Sequence, residues 1–245
     1  ITESKRFKFG LNMLYADFYH KILSSNKKFS IKYSLRKSTT PVLQTPTFKS
    51  YSEKVFQNTT FAIYDDKNKF DFWDGSVVLD WQINSKNSLK FSNILIKNNL
   101  DYSSNINDTI IQNQKMDIKN IGSSIRYKSI VTSKISVESK FNYSGYNFKY
   151  LRLVGDIEKN DSFIKENNLI DTGLEFQFKY FQSTSTNYSL GYQFSSNRVS
   201  HLISSNNEDF GFNISEKNSS LFLNSINFNA EITDATYEIN MGGRI

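Results

Sequence analysis

Apolar and polar residues alternate along most of this chain with a period of two. Phe9, Leu11, Met13 and Tyr15 alternate with Lys8, Gly10 and Asn12, and Phe29, Ile31, Tyr33 and Leu35 alternate with Ser30, Lys32, Ser34 and Arg36. The same spacing recurs in Leu79, Trp81 and Ile83, and again in Ile135, Val137, Phe141 and Tyr143. Successive strand side chains point to opposite faces, so each segment predicts a strand with one apolar and one polar face. The clearest hairpin joins Leu174, Phe176, Phe178 and Tyr180 to Tyr188, Leu190, Tyr192 and Phe194 through the turn 182–185. Parity fails after Asn93, where Ile94 and Ile96 change face, and a β-bulge is expected there. No segment carries a convincing helical period, so the chain reads as all-β with about ten strands.

The connections narrow this class. Short turns fall near 24–27, 85–87, 129–133, 182–185 and 233–235, and between them lie longer polar stretches at 39–75, 104–112, 151–168 and 199–218. Strict alternation of short and long connections is the habit of an outer-membrane barrel, whose turns are short on one side and whose loops are long on the other. Several strands also reach the ~9–11 residues that a tilted strand needs to cross a bilayer. A soluble sheet with one buried face would show the same alternation, but not the loop asymmetry. The expected fold is therefore an antiparallel up-and-down transmembrane β-barrel.

Composition supports a surface layer over a packed core. Only 38% of the 245 residues are hydrophobic while 15% are aromatic, against roughly 45–50% apolar in ordinary globular chains. There is no cysteine, which excludes disulfide, CxxC and thiolate-metal chemistry. The net charge of +6 is spread along the chain, so no nucleic-acid surface is expected. The first residues, Ile1 to Arg6, are charged and carry no secretory signal, so an exported chain would be mature or truncated here.

Candidate chemistry is sparse. His20 and His201 lie far apart and in no metal-ligand motif. His201 opens the polar stretch 199–218 with Glu208 and Asp209 nearby, but no Ser-centred or paired-Asp motif accompanies it, so no catalytic residue and no enzyme is expected. Asp65, Asp66, Asn68 and Asp71 lack the ligand order of a calcium loop, and no metal is expected. The stretch 39–75 interleaves aromatic with acidic residues, and Tyr51, Tyr64, Phe72 and Trp73 are the candidate ligand-binding residues, on a loop.

Three phrases carry a family resemblance. They are Ser30-Ile31-Lys32-Tyr33-Ser34-Leu35-Arg36 before a long loop, Leu79-Asp80-Trp81-Gln82-Ile83-Asn84 before a tight turn, and the closing Tyr237-Glu238-Ile239-Asn240-Met241-Gly242-Gly243-Arg244. Together they resemble the barrel of a TonB-dependent outer-membrane receptor. The resemblance implies a 22-stranded barrel closed by a plug, of which residues 1–245 would be an internal section without plug, TonB box or remaining strands. It also implies uptake of a scarce nutrient (siderophore, cobalamin or oligosaccharide) across the bacterial outer membrane. The partners would be lipid and, through the absent plug, TonB, with no cofactor of its own. Arg126, Glu138, Lys140, Glu175, Gln177, Lys179, Gln193, Glu238 and Arg244 would then face the lumen. A self-contained small barrel acting as pore, adhesin or rim hydrolase is the alternative.

Overall fold

The alternating segments form one antiparallel sheet of eleven strands in sequence order, each hydrogen-bonded to its chain neighbours. The strands are β1 (Phe7–Leu11), β2 (Tyr15–Leu23), β3 (Phe29–Ser38), β4 (Lys69–Gln82), β5 (Asn87–Asn105), β6 (Ile111–Thr132), β7 (Ile135–Gly155), β8 (Asn160–Phe181), β9 (Thr186–Ser205), β10 (Phe212–Thr233) and β11 (Glu238–Arg244). The computed structural model describes residues 7–40, 42–43, 46, 50, 69–105, 111–155, 160–207, 211–233 and 238–245. Among these, β1 and β11 do not pair with each other, so the described sheet is open, with two edges.

The strands are staggered as a barrel requires. One hydrogen-bonded row runs Phe29, Trp81, Leu89, Tyr127, Ser139, Phe176, Tyr192, Ile226. Phe29 is the first residue of β3, whereas Ile226 stands seven residues before the end of β10. The row thus climbs about one residue per strand. With ~3.3 Å along a strand and ~4.8 Å between strands, that is a tilt of about 35°, within the barrel range.

Each long strand has two storeys that differ in polarity. In the first storey the outward positions are apolar: 135–145 on β7, 170–180 on β8 and 222–232 on β10 read Ile, Val, Phe, Tyr, Leu and Ala, with an occasional Ser, Thr, Asn or Gly and no charge. Eleven residues tilted by 35° rise roughly 25–30 Å, the height of an outer-membrane apolar band. The intervening positions are Lys, Glu, Asp, Gln, Asn, Ser and Gly, with Leu223 as the one apolar residue among them. Exposure is inverted relative to a soluble protein: Phe176, Leu190 and Phe228 are about half exposed, at 47%, 52% and 51%, while inward Ser189 and Ser225 are buried. Tyr102 and Ala230 are the only buried apolar residues among those described. The surface area of 16664 Å² compares with about 11,000 Å² for a compact globular chain of this mass. This is a membrane-spanning wall with no interior of its own.

In the second storey the pattern reverses. Outward positions turn polar (Lys97, Asn99 and Asp101; Lys119, Asp117 and Lys115), and inward ones turn largely apolar (Ile94, Ile96 and Leu100; Ile118 and Met116), with Asn98 and Gln114 among them. The expected bulge after Asn93 is absent, because β4–β5 and β5–β6 keep continuous register through Ile94 and Ile96. The side chains never change face; the surroundings change instead. Beyond the bilayer the outer surface meets water and becomes polar, and the inner surface becomes the sheltered one.

The same extension corrects the expected loops. β4 starts at Lys69, β7 runs to Gly155, β8 starts at Asn160, β9 ends at Ser205 and β10 starts at Phe212. The polar stretches 151–168 and 199–218 are therefore mostly strand, and their polarity belongs to a sheet face in water. Actual register shifts occur at Ile130/Thr132 and at Glu216/Ser219.

The lipid band predicts a sharp asymmetry between adjacent residues. Leu174→Arg, outward, should cost about 2–4 kcal/mol if it sits near the bilayer midplane. Glu175→Gln, inward, should cost well under that. Denaturant unfolding of the protein in lipid vesicles measures both, and similar costs would contradict the assignment of faces.

Candidate functional site

The inward face of the first storey is a ladder of charges. Asp80, Lys90, Arg126, Lys140, Glu175 and Gln193 lie directly opposite one another on successive strands. Lys32 and Lys90 approach Asp80 at 3.4 and 3.8 Å, Arg126 approaches Glu138 at 3.2 Å, and Lys140 approaches Glu175 at 3.2 Å. Arg244 Nη2 donates to Gln193 Oε1 at 3.2 Å. Gln177 and Lys179 pair with Glu138 and Ser136 and share the inward parity. These pairs are solvent-exposed and contribute little stability individually, but they keep the lumen wet. Glu238 pairs with Thr233 at the β11 edge; its side chain lies outside the described residues.

The second storey's inward face differs in kind. Phe72, Ile118 and Phe148 lie along one row and Phe70, Leu100, Met116 and Tyr150 along the next. At its β2–β4 end sits an arginine held in an aromatic setting. The Arg36 guanidinium carbon lies 5.2 Å from the Tyr15 ring centroid and 5.4 Å from that of Phe72. Its Nε donates to Asp74 Oδ2 at 2.7 Å and its Nη2 lies 2.6 Å from the same oxygen. The hydrogen bond to Asp74 raises the arginine's pKa, with partial burial opposing and the Asp74 charge and Tyr15 assisting. Tyr15 packs edge-on to Phe72, which also packs against Phe70. Across the face, Tyr150 Oη donates to Gln114 Oε1 at 2.7 Å and its ring meets Phe163 edge-on. Burial pushes the Tyr150 phenol upward, Arg152 opposing.

Where β3 leaves β4, side chains take over from the ladder. Ser38 Oγ donates to Asp71 Oδ1 at 2.6 Å and accepts from Phe72 N at 3.0 Å, and Thr40 Oγ1 donates to Phe70 O. Lys37 Nζ donates to both Asp71 oxygens at 2.5 and 2.6 Å. Partial burial raises the Asp71 pKa, but hydrogen bonds from Lys37 and Ser38 and the charges of Lys37 and Lys97 outweigh it, leaving the carboxyl below its ordinary value.

The sequence candidates divide accordingly. Arg126, Glu138, Lys140, Glu175, Gln177, Lys179, Gln193 and Arg244 all occupy inward positions of the first storey. Tyr51 and Tyr64 lie outside the described residues. Phe72 and Trp73 are on strand β4 instead of a loop, and as consecutive residues they face opposite sides. Phe72 belongs to the aromatic face, whereas Trp73 is outward, in one row with Lys37 and Lys97. His201 is mid-strand on β9, opposite Asn167 and Glu216, its Nδ1 3.9 Å from Glu216 Oε2; it does not open a loop, and Glu208 and Asp209 lie outside the described residues. His20 is on β2 and outward, its Nδ1 2.9 Å from Tyr33 Oη. Arg36 and Tyr15 are the residues the sequence did not single out. The signal was a strand-paired Arg36 and Asp74, legible only once the β3–β4 register is known.

The geometry defines the wall of a transmembrane β-barrel whose strands continue beyond the bilayer around an aromatic inner face. The sequence matches no protein-family model and no curated protein. Among solved structures, the fold is similar to the ferric yersiniabactin uptake receptor FyuA from Yersinia pestis, with TM-score 0.58 and 6% identity over 94% of this chain and 39% of that one. It is also similar to BauA, the ferric preacinetobactin receptor from Acinetobacter baumannii, with TM-score 0.56 and 12% identity over 94% of this chain and 38% of that one. The chain thus spans about two fifths of the length of these receptors. The likeness read from the sequence, to the barrel of a TonB-dependent receptor, is borne out in the fold, and both neighbours are named as receptors.

The Asp71 clasp carries a pH signature. A carboxyl whose folded pKa lies below its unfolded value stabilises fully above the unfolded value and loses that contribution as pH falls through the folded one. Hydrogen exchange at the outer ends of β3 and β4 should therefore accelerate below about pH 4. Asp71→Asn should exchange faster at neutral pH and show no such step; an unchanged step in the variant would assign it to another group.

Proposed function

We propose that this chain is the barrel-wall section of an outer-membrane TonB-dependent receptor that takes up a siderophore, with the aromatic inner face of the second storey meeting the ferric chelate. The placement of Arg36 between Tyr15 and Phe72, on the sheltered face just beyond the lipid band, carries the reading. Flat aromatic and guanidinium surfaces offer stacking and cation–π contact to chelator rings, and Phe148 and Tyr150 extend that surface across β7. Both structural neighbours are named for ferric chelates. The two sheet edges would be covered by further strands of a longer receptor, since an open edge in lipid leaves backbone groups unpaired. A plug within the lumen would meet the charge ladder and supply the contact to TonB.

The test uses the whole receptor purified in detergent. Ferric catecholate, cobalamin and a neutral maltodextrin are titrated, and binding is read by calorimetry. The ferric chelate should bind and the other two should not. Phe72→Ala should weaken binding about tenfold, equivalent to ~1.4 kcal/mol, and Trp73→Ala should leave it unchanged. Binding of cobalamin or sugar alone would replace the ligand class, and a silent Phe72→Ala would remove this face as the site.

A further inference from the structure

One row on the outward side of the lipid band breaks its apolar character. Asn93, Ser123, Tyr143, Thr172 and Ser196 stand directly opposite one another on β5 to β9. The row below reads Phe91, Ile125, Phe141, Leu174 and Phe194, and the row above begins Leu95, Ile121, Gly145 and Ile170. Five hydrogen-bonding side chains thus lie between two apolar rows. Counted from the short-turn side, Asn93 is the seventh residue of β5 and Ser196 the eleventh of β9. At ~3.3 Å per residue and a tilt of about 35°, Asn93 stands about 16 Å up, near the middle of the band, and the row climbs to its upper edge.

These groups are under-used within the chain. Asn93 Nδ2 donates to Ser123 Oγ at 2.6 Å, which leaves its second amide hydrogen and its Oδ1 without a partner. Tyr143, Thr172 and Ser196 make no side-chain hydrogen bond among the described residues. An unpaired amide in hydrocarbon is costly. Further barrel strands would lie beside this face and a lumen occupant behind it, so neither covers it, and whatever pairs with Asn93 comes from within the membrane. Immediately above the row the wall is indented by a groove of about 470 Å³, lined by Leu95, Ile121, Gly145 and Ile170. A Cβ on Gly145 would come within 2.9 Å of Ile121 Cγ2, so the indentation depends on glycine there.

We propose that the outward wall of β4 to β7 is the interface with a second copy of this chain, with Asn93 at its centre. Two copies inserted in the same orientation are related by a two-fold axis along the bilayer normal, which sets each residue against the partner wall at its own depth. A carboxamide is self-complementary. Nδ2–H of each Asn93 donates to Oδ1 of the other, and the two bonds satisfy both unpaired groups. Polar side chains join membrane segments in this way, and small residues let the backbones approach. Four strands at ~4.8 Å spacing and a band ~25–30 Å tall present roughly 500 Å² per copy, about 1,000 Å² for the pair, the size at which specific interfaces begin. The interface is on the opposite side of the wall from the ligand-facing surface, so it holds whatever the receptor imports, provided the wall spans a membrane.

The whole receptor is purified in a neutrally buoyant detergent, and sedimentation equilibrium reads its mass. The wild type should be a dimer, and Asn93→Leu should weaken association about tenfold, the loss expected for two hydrogen bonds between membrane segments. Leu190→Ala, on the outward wall of β9, should leave association unchanged. Contact is read independently in lipid vesicles. The chain has no cysteine, so Leu95→Cys and Leu190→Cys each add one thiol to it. A short bismaleimide should join two copies at position 95 and not at position 190. A monomeric wild type, a dimer that Asn93→Leu leaves as tight as before, or equal cross-linking at the two positions would each overturn the proposal.

Discussion

Lipid offers a peptide group nothing to hydrogen-bond with, and everything in this chain follows from that. Each unsatisfied N–H or C=O in hydrocarbon costs several kcal/mol, so strands that cross must pair completely with their neighbours. Here every strand pairs with the next in sequence, and the pairings from β5 through β10 each run over 19–21 residues. Once the backbone is satisfied by the sheet, side chains are free to answer to whatever solvent each face meets. The stagger of one residue per strand is what allows such a sheet to curve into a barrel without breaking the ladder.

That freedom explains a molecule with almost no core. A soluble sheet would bury its apolar face against a second layer, and the two buried apolar residues among those described could not stabilise a sheet of eleven strands in water. The bilayer does the work of the missing layer over the first storey. In the second storey there is no lipid, so the outer surface carries ion pairs such as Lys149–Glu166 at 2.7 Å and Lys115–Asp101 at 3.5 Å. The apolar positions move inward, onto Phe72, Ile118, Phe148 and their neighbours. A single strand thus reads apolar-out and then apolar-in, with no bulge to mark the change.

Fold class, topology and the membrane face were legible because they rest on period two, which is local. Phe176 against Glu175, or Leu190 against Ser189, states its face in two adjacent letters. What was not legible depended on register and on solvent. Ile94 and Ile96 looked like a bulge because the sequence shows that polarity changes parity, not that the medium does. The stretches 151–168 and 199–218 looked like loops because a strand in water with a polar outer face has a loop-like composition. Arg36 was indistinguishable from any other polar residue of β3 until Asp74 and Phe72, nearly forty positions away, were brought beside it. His201 looked like a loop histidine for the same reason.

Phe72 and Trp73 show how narrow the margin is. They are adjacent aromatic residues on one strand, and by composition alone they are interchangeable ligand contacts. A pleat sends Phe72 inward to stack with Tyr15 and Arg36 and sends Trp73 outward to the lysine row. A slip of one residue in the β3–β4 register would exchange them. It would also carry Asp74 to the lipid edge and Trp73 into the lumen. The clasp of Lys37, Ser38 and Asp71 sits directly above this pair, and the Arg36–Asp74 bond sits beside it. Polar contacts that contribute little to global stability at a water-exposed rim can still fix which of two aromatic rings faces inward. Their value here lies in register, and register is what separates the lumen from the lipid.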